Sequence, residues 1–355
     1  MVVLNETKIK YEHLDTLLNE KLIDIRFSSN VNVIIDLKEV IRKFFRPNIL
    51  PDTVSGRGII EEITSDIINI IGHYRNYFYK KDKYTSFYFL YSQDESTIMK
   101  AKNPDYKREY YEKYFTGTNE SEKNKVSVIK RVIKAMDQIV NHIPNAIMIN
   151  TTQYDEYTVA RFMLSRTKDN EINIILSNDE VMAQLLGKNT FMLNIKGINS
   201  KLLDEKNAIS ILTGRQTELS INLLPLLLSF SGTSRYSLKN LDRVGLIKAL
   251  RMVEGLVKSG KVMDTKYVQF PFDKEQLSDI NSVEKLIKDN FEIVKSNYEV
   301  IDNSDVLYTN KTGLTLLFNK PKASHSYSYY LDLNSKVFTS FPLNLEMLLK
   351  GETLK

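Results

Sequence analysis

The run INIILSNDEVMAQLL, residues 172–186, decides the fold. Residues 172–176 form a short, β-branched, mostly apolar stretch of strand length. Ser177-Asn178-Asp179 interrupts it, and Met182, Leu185 and Leu186 then recur at helical spacing. The pattern predicts a buried strand, a turn and a helix, with Asp179 just past the strand's carboxyl end. Open α/β sheets place their ligand-handling groups at that end.

The same alternation extends in both directions. Residues 9–28 carry Leu14, Leu17, Leu18, Leu22 and Ile25 on one helical face. Residues 31–36 are a β-branched run ending in an acid, and 37–45 continue as a helix. A loop over 47–58 precedes a long helix over 59–78. Strands are predicted over 87–91, 146–150 and 191–195, with helices over 126–140 and 155–165. Residues 95–125 are polar and charged. From 223 to 262 the chain turns helical, and the last ninety residues mix strand and helix signals. Strands alternating with helices imply an α/β fold, a mainly parallel sheet flanked by helices on both faces. The expected organisation is an N-terminal helical extension (1–30), an α/β core (31–222), a helical hairpin region (223–265) and a mixed α+β C-terminal extension (266–355).

Composition narrows the chemistry. The 355 residues are 42% hydrophobic and 26% charged, as in ordinary globular proteins. No run approaches the ~18 apolar residues of a membrane span, and the charged N-terminus does not read as a signal peptide; no membrane partner and a cytoplasmic location are expected. With no cysteine, disulfides, thiolate metal sites and cysteine nucleophiles are excluded. The four histidines (His13, His73, His142, His325) form no ligand-like pair, so a metal would be a hard cation held by carboxylates. The net charge of +5 permits nucleic-acid binding without requiring it. A bias toward Ile, Asn, Lys and Tyr fits an AT-rich genome, such as that of a bacteriophage.

Four further stretches carry candidate chemistry. Residues 31–45, VNVIIDLKEVIRKFF, end a strand in Asp36 before a helix, an arrangement that also serves as an N-cap. Residues 103–110, NPDYKREY, sit in a segment where Lys100, Lys102, Lys107, Arg108 and Lys113 interleave with Tyr106, Tyr110 and Tyr111. Basic groups there offer counterion release and aromatic rings offer base stacking; a solvated helix is the plainer alternative. Residues 151–161, TTQYDEYTVAR, put Asp155 and Glu156 at a strand-to-helix junction, where a helix dipole also favours acids. Residues 228–250, LSFSGTSRYSLKNLDRVGLIKAL, read as a hairpin between two helices, with Lys239 and Arg243 on it.

In order and spacing these stretches resemble the flap endonuclease family, the 5′-nucleases related to PIN domains. Residues 175–186 resemble the family's Ser-Gly-Asp-Lys-Asp-Leu-Leu-Gln-Leu, with Asp179 at the first aspartate and Val181 at the second. Asp36 matches the aspartate ending the family's opening strand, although Leu37-Lys38 replaces the following Gly-Asn. Residues 103–110 resemble Pro-x-Tyr-Lys-x-x-Arg of the gateway through which single strands pass. Lys107 takes the place of the lysine that contacts the reacting phosphate, and Tyr110 that of the arginine. Residues 151–161 align with Glu-Ala-Asp-Asp, with Gln153, Asp155 and Glu156 in place of three of its acids. In the hairpin, Gly232, Ser234, Leu238, Leu241, Val244 and Gly245 fit the family's helix–hairpin–helix. Thr233 and Tyr236 stand where that family has aspartates, and Asn240 and Arg243 where it has glycines.

The resemblance implies a PIN-like 5′-nuclease fold with catalytic and metal-binding Asp36, Asp155, Glu156 and Asp179, and with Lys107 at the reacting phosphate. It implies nucleic-acid contact by Lys100, Lys102, Tyr106, Lys107, Arg108, Lys113, Lys239 and Arg243. A two-metal centre holds its ions roughly 4 Å apart with several carboxylates, and Gln153, Val181 and Tyr236 remove three of them. At most one magnesium or manganese ion is therefore expected. The expected function is that of a degenerate family member that binds DNA or RNA, with weak or no cleavage, as a subunit of a phage replication, transcription or virion complex. An active magnesium-dependent 5′-nuclease, or an unrelated α/β structural protein, are the alternatives.

Overall fold

The computed structural model describes residues 30–44 and 57–302, apart from 82, 93–95, 113–115, 118–119, 141, 195–199 and 268, together with Thr16, Leu18 and Asn19. Among the described residues six strands form one sheet in the order β3-β2-β1-β4-β5-β6. They are β1 (Asn30–Asp36), β2 (Tyr84–Ser92), β3 (Ala146–Thr151), β4 (Ile172–Leu176), β5 (Thr190–Asn194) and β6 (Lys201–Leu203). All pair in parallel except β6, which runs antiparallel along the edge. β1 lies at the point where the strand order reverses, with β2 on one side and β4 on the other. Parallel pairing brings every carboxyl end to the same edge: Asp36 is level with Leu90, Ile35 with Leu176, and Ser92 with Thr151. Asp36, Asp155 and Asp179 thus reach one place from three distant parts of the chain.

The apolar runs in β1 and β4 arise because both faces are covered. On one face Val33, Ile35, Phe87, Phe89, Ile174 and Leu176 pack with α1 (Leu37–Phe44), α2 (Arg57–Tyr79) and α5 (Glu120–Val140). On the other face Ile34, Leu90, Ile149, Ile175 and Met192 join a cluster that continues through α6 (Glu156–Leu164), α8 (Leu224–Ser231), α9 (Leu246–Lys258) and α11 (Phe291–Asp302). Between β2 and α5 lie two short helices, α3 (Thr97–Lys102) and α4 (Arg108–Tyr111). The Ser96 hydroxyl caps α3 by accepting from the Met99 amide. The remaining helices are α7 (Ala208–Thr213) and α10 (Ser282–Asp289).

The structure departs from the sequence reading at the helix after Asp179 and at one edge of the sheet. The helix expected after Asp179 is a 3₁₀ helix, Glu180–Leu185. It has room for only two turns before Gly187, and its Met182 and Leu186 amides close i→i+3 bonds, the geometry favoured in short pieces. Edge strand β6 has no counterpart in that reading; at three residues it is too short to show a period. Of the expected C-terminal extension, α10 and α11 are helical, while residues 303–355, Lys113 and, apart from Thr16, Leu18 and Asn19, the expected N-terminal helix over 9–28 lie outside the described residues.

Helices α8 and α9 are joined by a compact hairpin. Thr233 bridges Leu238, a 3₁₀ turn spans Ser234–Tyr236, and the Leu241 amide donates to the Phe230 carbonyl. From α11, the Asn297 amide donates to the carbonyls of Ser229 at 3.0 Å and Lys239 at 2.8 Å, tying the hairpin down. Gly232 is required here: its φ is +62°, and an added Cβ would lie 2.5 Å from both the Asn240 nitrogen and the Leu238 oxygen. Arg243 occupies the left-handed region at φ 55°, where the family pattern has glycine, with its side chain in solvent. Gly232→Ala combines a backbone clash with a disfavoured φ and is expected to cost roughly 2–3 kcal/mol. Chemical denaturation checks this, and a loss below about 1 kcal/mol would contradict the close approach.

Candidate functional site

At the carboxyl edge of the sheet, Asp36 ends β1, Asp155 caps α6, Glu156 opens α6 and Asp179 caps the 3₁₀ helix. Glu39 joins them from the first turn of α1. All five are buried. Buried carboxylates need donors, and backbone amides supply some. Asp155 Oδ1 accepts from the Thr158 amide at 2.9 Å, Asp179 Oδ1 from Val181 at 3.0 Å, Glu156 Oε1 from Ser92 at 2.9 Å and Asp36 Oδ1 from Glu39 at 3.3 Å. The Ser177 hydroxyl donates to Asp36 Oδ2 at 2.8 Å.

The other donors are cations and tyrosines. Lys38 Nζ lies 3.1 Å from Glu156 Oε1, and Lys107 Nζ lies 3.6 Å from Glu156 Oε2 and 3.9 Å from Asp155 Oδ2. Arg235 bridges Glu39 at 2.8 Å and Asp179 at 3.1 Å, the second as an ion pair without hydrogen-bond alignment. Arg42 closes on Glu39 at 2.5 Å. Three tyrosines complete the set: Tyr106 donates to Asp155, Tyr110 to Glu39 at 2.6 Å and Tyr236 to Asp179 at 2.7 Å. Rings also face the cations, with Lys107 Nζ 4.7 Å from the Tyr236 centroid and Lys38 Nζ 4.7 Å from that of Tyr111.

The fields follow from this arrangement. Burial alone would raise the Glu156 carboxyl, but Lys38, Lys107 and backbone amides outweigh it and hold Glu156 down at about 2. Asp179 is also lowered: burial opposes, while Arg235, Lys107 and the Tyr236 hydroxyl prevail. Burial works against the Lys107 charge, yet Glu156, Asp155 and Asp179 raise its pKa. Asp36 is the exception. Burial, with Glu39, Glu156 and Asp179 adding to it, pushes its carboxyl up to about 8 against the pull of Arg235. The cluster thus sets five carboxyl groups, on Asp36, Glu39, Asp155, Glu156 and Asp179, among the side chains of Lys38, Arg42, Lys107 and Arg235.

That arrangement bears on metal. Oxygen donors suit magnesium or manganese, but here most of these oxygens already serve an internal cation, hydroxyl or amide. Among the described residues no three or more Asp, Glu or His side chains are disposed to hold an ion. A divalent ion would have to displace at least one lysine or arginine already lying against these carboxylates. As arranged, these residues do not fit it.

The structure thus brings Asp36, Asp155, Glu156, Asp179 and Lys107 together, as the resemblance implied. It corrects the reading of Tyr106 and Lys107 as strand-contacting residues, since both are buried and turned toward carboxylates. Lys107 adopts a left-handed backbone at φ 53°, its amide donating to the Tyr236 carbonyl. Lys100, Lys102, Arg108, Lys239 and Arg243 are exposed. Gln153 faces solvent, and its main-chain carbonyl accepts from the Ser96 hydroxyl at 2.6 Å. The sequence reading missed Lys38, Glu39 and Arg235 as members of the cluster. Lys38 was visible as a cation two residues beyond a strand-terminal acid; Arg235 gave no local signal.

No family model matches the sequence, and no curated protein matches it either. Solved structures do match the coordinates. The bacteriophage T5 5′-exonuclease with bound zinc superposes with a TM-score of 0.58 at 12% identity, over 90% of this chain and 98% of that one. The fold is that of the phage T5 5′-nuclease. Two further structures of the T5 flap endonuclease cover the same shares of each chain with TM-scores of 0.56. One is co-crystallised with metal ions, at 13% identity, and the other is an aspartate-to-lysine variant in complex with DNA and metal ions, at 12%. In this chain the fold's carboxyl edge carries ion pairs among its own side chains.

Asp36 and Glu156 pull the stability in opposite directions with pH. An acid whose pKa is higher folded than unfolded binds more protons in the native state, so the Asp36 contribution worsens as pH rises from about 4 to about 8. Glu156, lowered, stabilises above its unfolded value of 4.5, and that contribution is lost as pH falls toward 2. Asp36→Asn cannot ionise. Its melting temperature should gain on the wild type progressively between pH 5 and pH 8. Thermal denaturation across that range checks this, and a constant difference would refute a neutral Asp36.

Proposed function

We propose that this protein is a 5′-nuclease-fold chain that has replaced catalytic metal by its own lysine and arginine side chains, and that it binds nucleic acid without cutting it. The single observation behind this reading is the placement of Lys38, Lys107 and Arg235 among the carboxylates at 2.8–3.9 Å. A metal ion polarises the scissile phosphate, lowers the pKa of attacking water and stabilises the leaving oxygen. A lysine ammonium balances carboxylate charge but offers no open coordination position for water or phosphate. The substitutions at Gln153, Val181 and Tyr236 point the same way, and Tyr236 donates to Asp179.

Binding does not depend on that chemistry, because phosphate attraction requires only clustered exposed cations. Lys100, Lys102 and Arg108 beside the gateway, with Lys239 and Arg243 on the hairpin, supply them. The T5 flap endonuclease has been solved with DNA, which supports DNA as the partner here. We place the chain in the host cytoplasm as a subunit of a phage replication, transcription or virion complex. No described helix is long and apolar enough to cross a membrane.

Two measurements test the reading. A 5′-flap substrate incubated with magnesium or manganese should remain uncut, while binding of the same DNA weakens steeply with salt and weakens further in Lys100→Glu/Lys102→Glu/Arg108→Glu. Metal-dependent cutting abolished by Asp179→Ala would establish the active-nuclease alternative instead. Lys107→Met is expected to cost roughly 3–5 kcal/mol of stability, because it leaves buried carboxylates short of a partner. A lysine kept only to touch substrate would lose activity at little cost in stability.

A further inference from the structure

Beside the carboxylate cluster lies a cleft of about 850 Å³. It opens at the carboxyl ends of β4 and β5, between α1 and α5 on one side and α7, α8 and the start of α9 on the other. Its size falls within the range of small-molecule sites, roughly 300–1,000 Å³. It shares Glu39 and Arg42 with the ion-pair network, and Glu180 also lines it.

Two amides line it. Asn178 follows β4 and Asn194 ends β5, and the Oδ1 of each is buried with no hydrogen-bond partner among the described residues. Asn194 is only 7% exposed. Buried amides are nearly always paired, so two orphaned ones on the wall of one cleft mark a place where something else supplies the bonds. Opposite in character are Leu212, Leu224 and Leu228, which give an apolar wall. At the rim stand Arg42, Lys43 and Lys125.

Apolar wall, amide pair and cationic rim together match one chemical class. A leucine surface accepts the face of a planar ring. Asparagine amides, which offer both a donor and an acceptor, pair with the edge of a nucleobase. Lysine and arginine take a phosphate. A sugar phosphate would leave the leucines unused, and a purely apolar ligand would leave the amides unpaired.

We propose that this cleft is a nucleotide-binding site, with the base on the leucine wall facing Asn178 and Asn194 and the phosphate at the Arg42–Lys43–Lys125 rim. The nucleotide is either a free nucleoside monophosphate or the phosphorylated end of a strand. The site does not depend on whether the chain cleaves nucleic acid.

Calorimetric titration of the full chain with AMP, dTMP, ribose 5-phosphate and a 5′-phosphorylated oligothymidylate tests this. At least one nucleoside monophosphate or the oligonucleotide should bind with a sub-millimolar Kd, and ribose 5-phosphate at least tenfold more weakly. Asn194→Leu, which removes the amide at similar volume, and Lys125→Glu, on the rim, should each weaken binding about tenfold. Binding of the oligonucleotide but of neither monophosphate identifies a strand end as the ligand; binding of both identifies the nucleotide itself. Absence of binding by every nucleotide probe overturns the proposal. So does binding unchanged in both variants, or ribose 5-phosphate binding as tightly as AMP. Because Lys125 is only partly buried and on a helix, its substitution leaves a valid test if Asn194→Leu fails to fold.

Discussion

The Glu156 carboxylate, shared between Lys38 and Lys107, is the contact on which the rest of this site depends. An ionised carboxylate buried by this fold is sustained only by close opposite charge and full hydrogen bonding. Lys38 comes from the first turn of α1 and Lys107 from the gateway segment just before α4. Meeting that electrostatic demand therefore ties the sheet edge to two elements far apart in sequence. Asp179 repeats the device with Arg235 from the hairpin, and the carboxyl of Asp36, with no ion pair among the described residues, is pushed up by burial instead. The three tyrosines from the gateway and the hairpin extend the same ties.

Much of the sheet was legible in the sequence because its signal is local. A strand buried on both faces has to be apolar along its whole length, so β1 and β4 stood out in a single pass. Parallel strands end on one edge, which put Asp36, Asp155 and Asp179 at the same edge of the sheet, while the strand order that makes them neighbours was not legible. What was not legible depended on long-range geometry. Arg235 sits 56 residues beyond Asp179 in the chain, and nothing near it in sequence marks it as a carboxylate's partner. The direction of Lys107 was misread for a related reason. A lysine in a basic, tyrosine-rich segment has the composition of a binding surface, and only the fold reveals that this one points inward while Lys100, Lys102 and Arg108 do not. The 3₁₀ helix after Asp179 kept the apolar spacing of an α-helix but had no length in which to form one.

The hairpin shows how a backbone shape outlasts the residues that favour it. Gly232 retains the close approach that no side chain permits. Eleven residues on, Arg243 holds a left-handed conformation that costs an ordinary residue roughly 1–2 kcal/mol. The cost is borne because Leu238, Leu241 and Val244 are buried on either side of it and fix the path of the chain. Packing decides the turn, and the residue at its tip conforms.

The internal ion pairs also govern how such a site can change over generations. Each cation serves one or two carboxylates, so replacing any one of them alone strands a charge in the interior and destabilises the fold before a metal could take its place. Removing a carboxylate first strands a cation in the same way. Metal binding at this edge would need several coordinated substitutions, each harmful by itself, whereas change at solvent-exposed positions is less constrained. Coupled burial of this kind acts as an evolutionary ratchet: once the cluster has closed on its own side chains, selection for stability alone is enough to keep it closed.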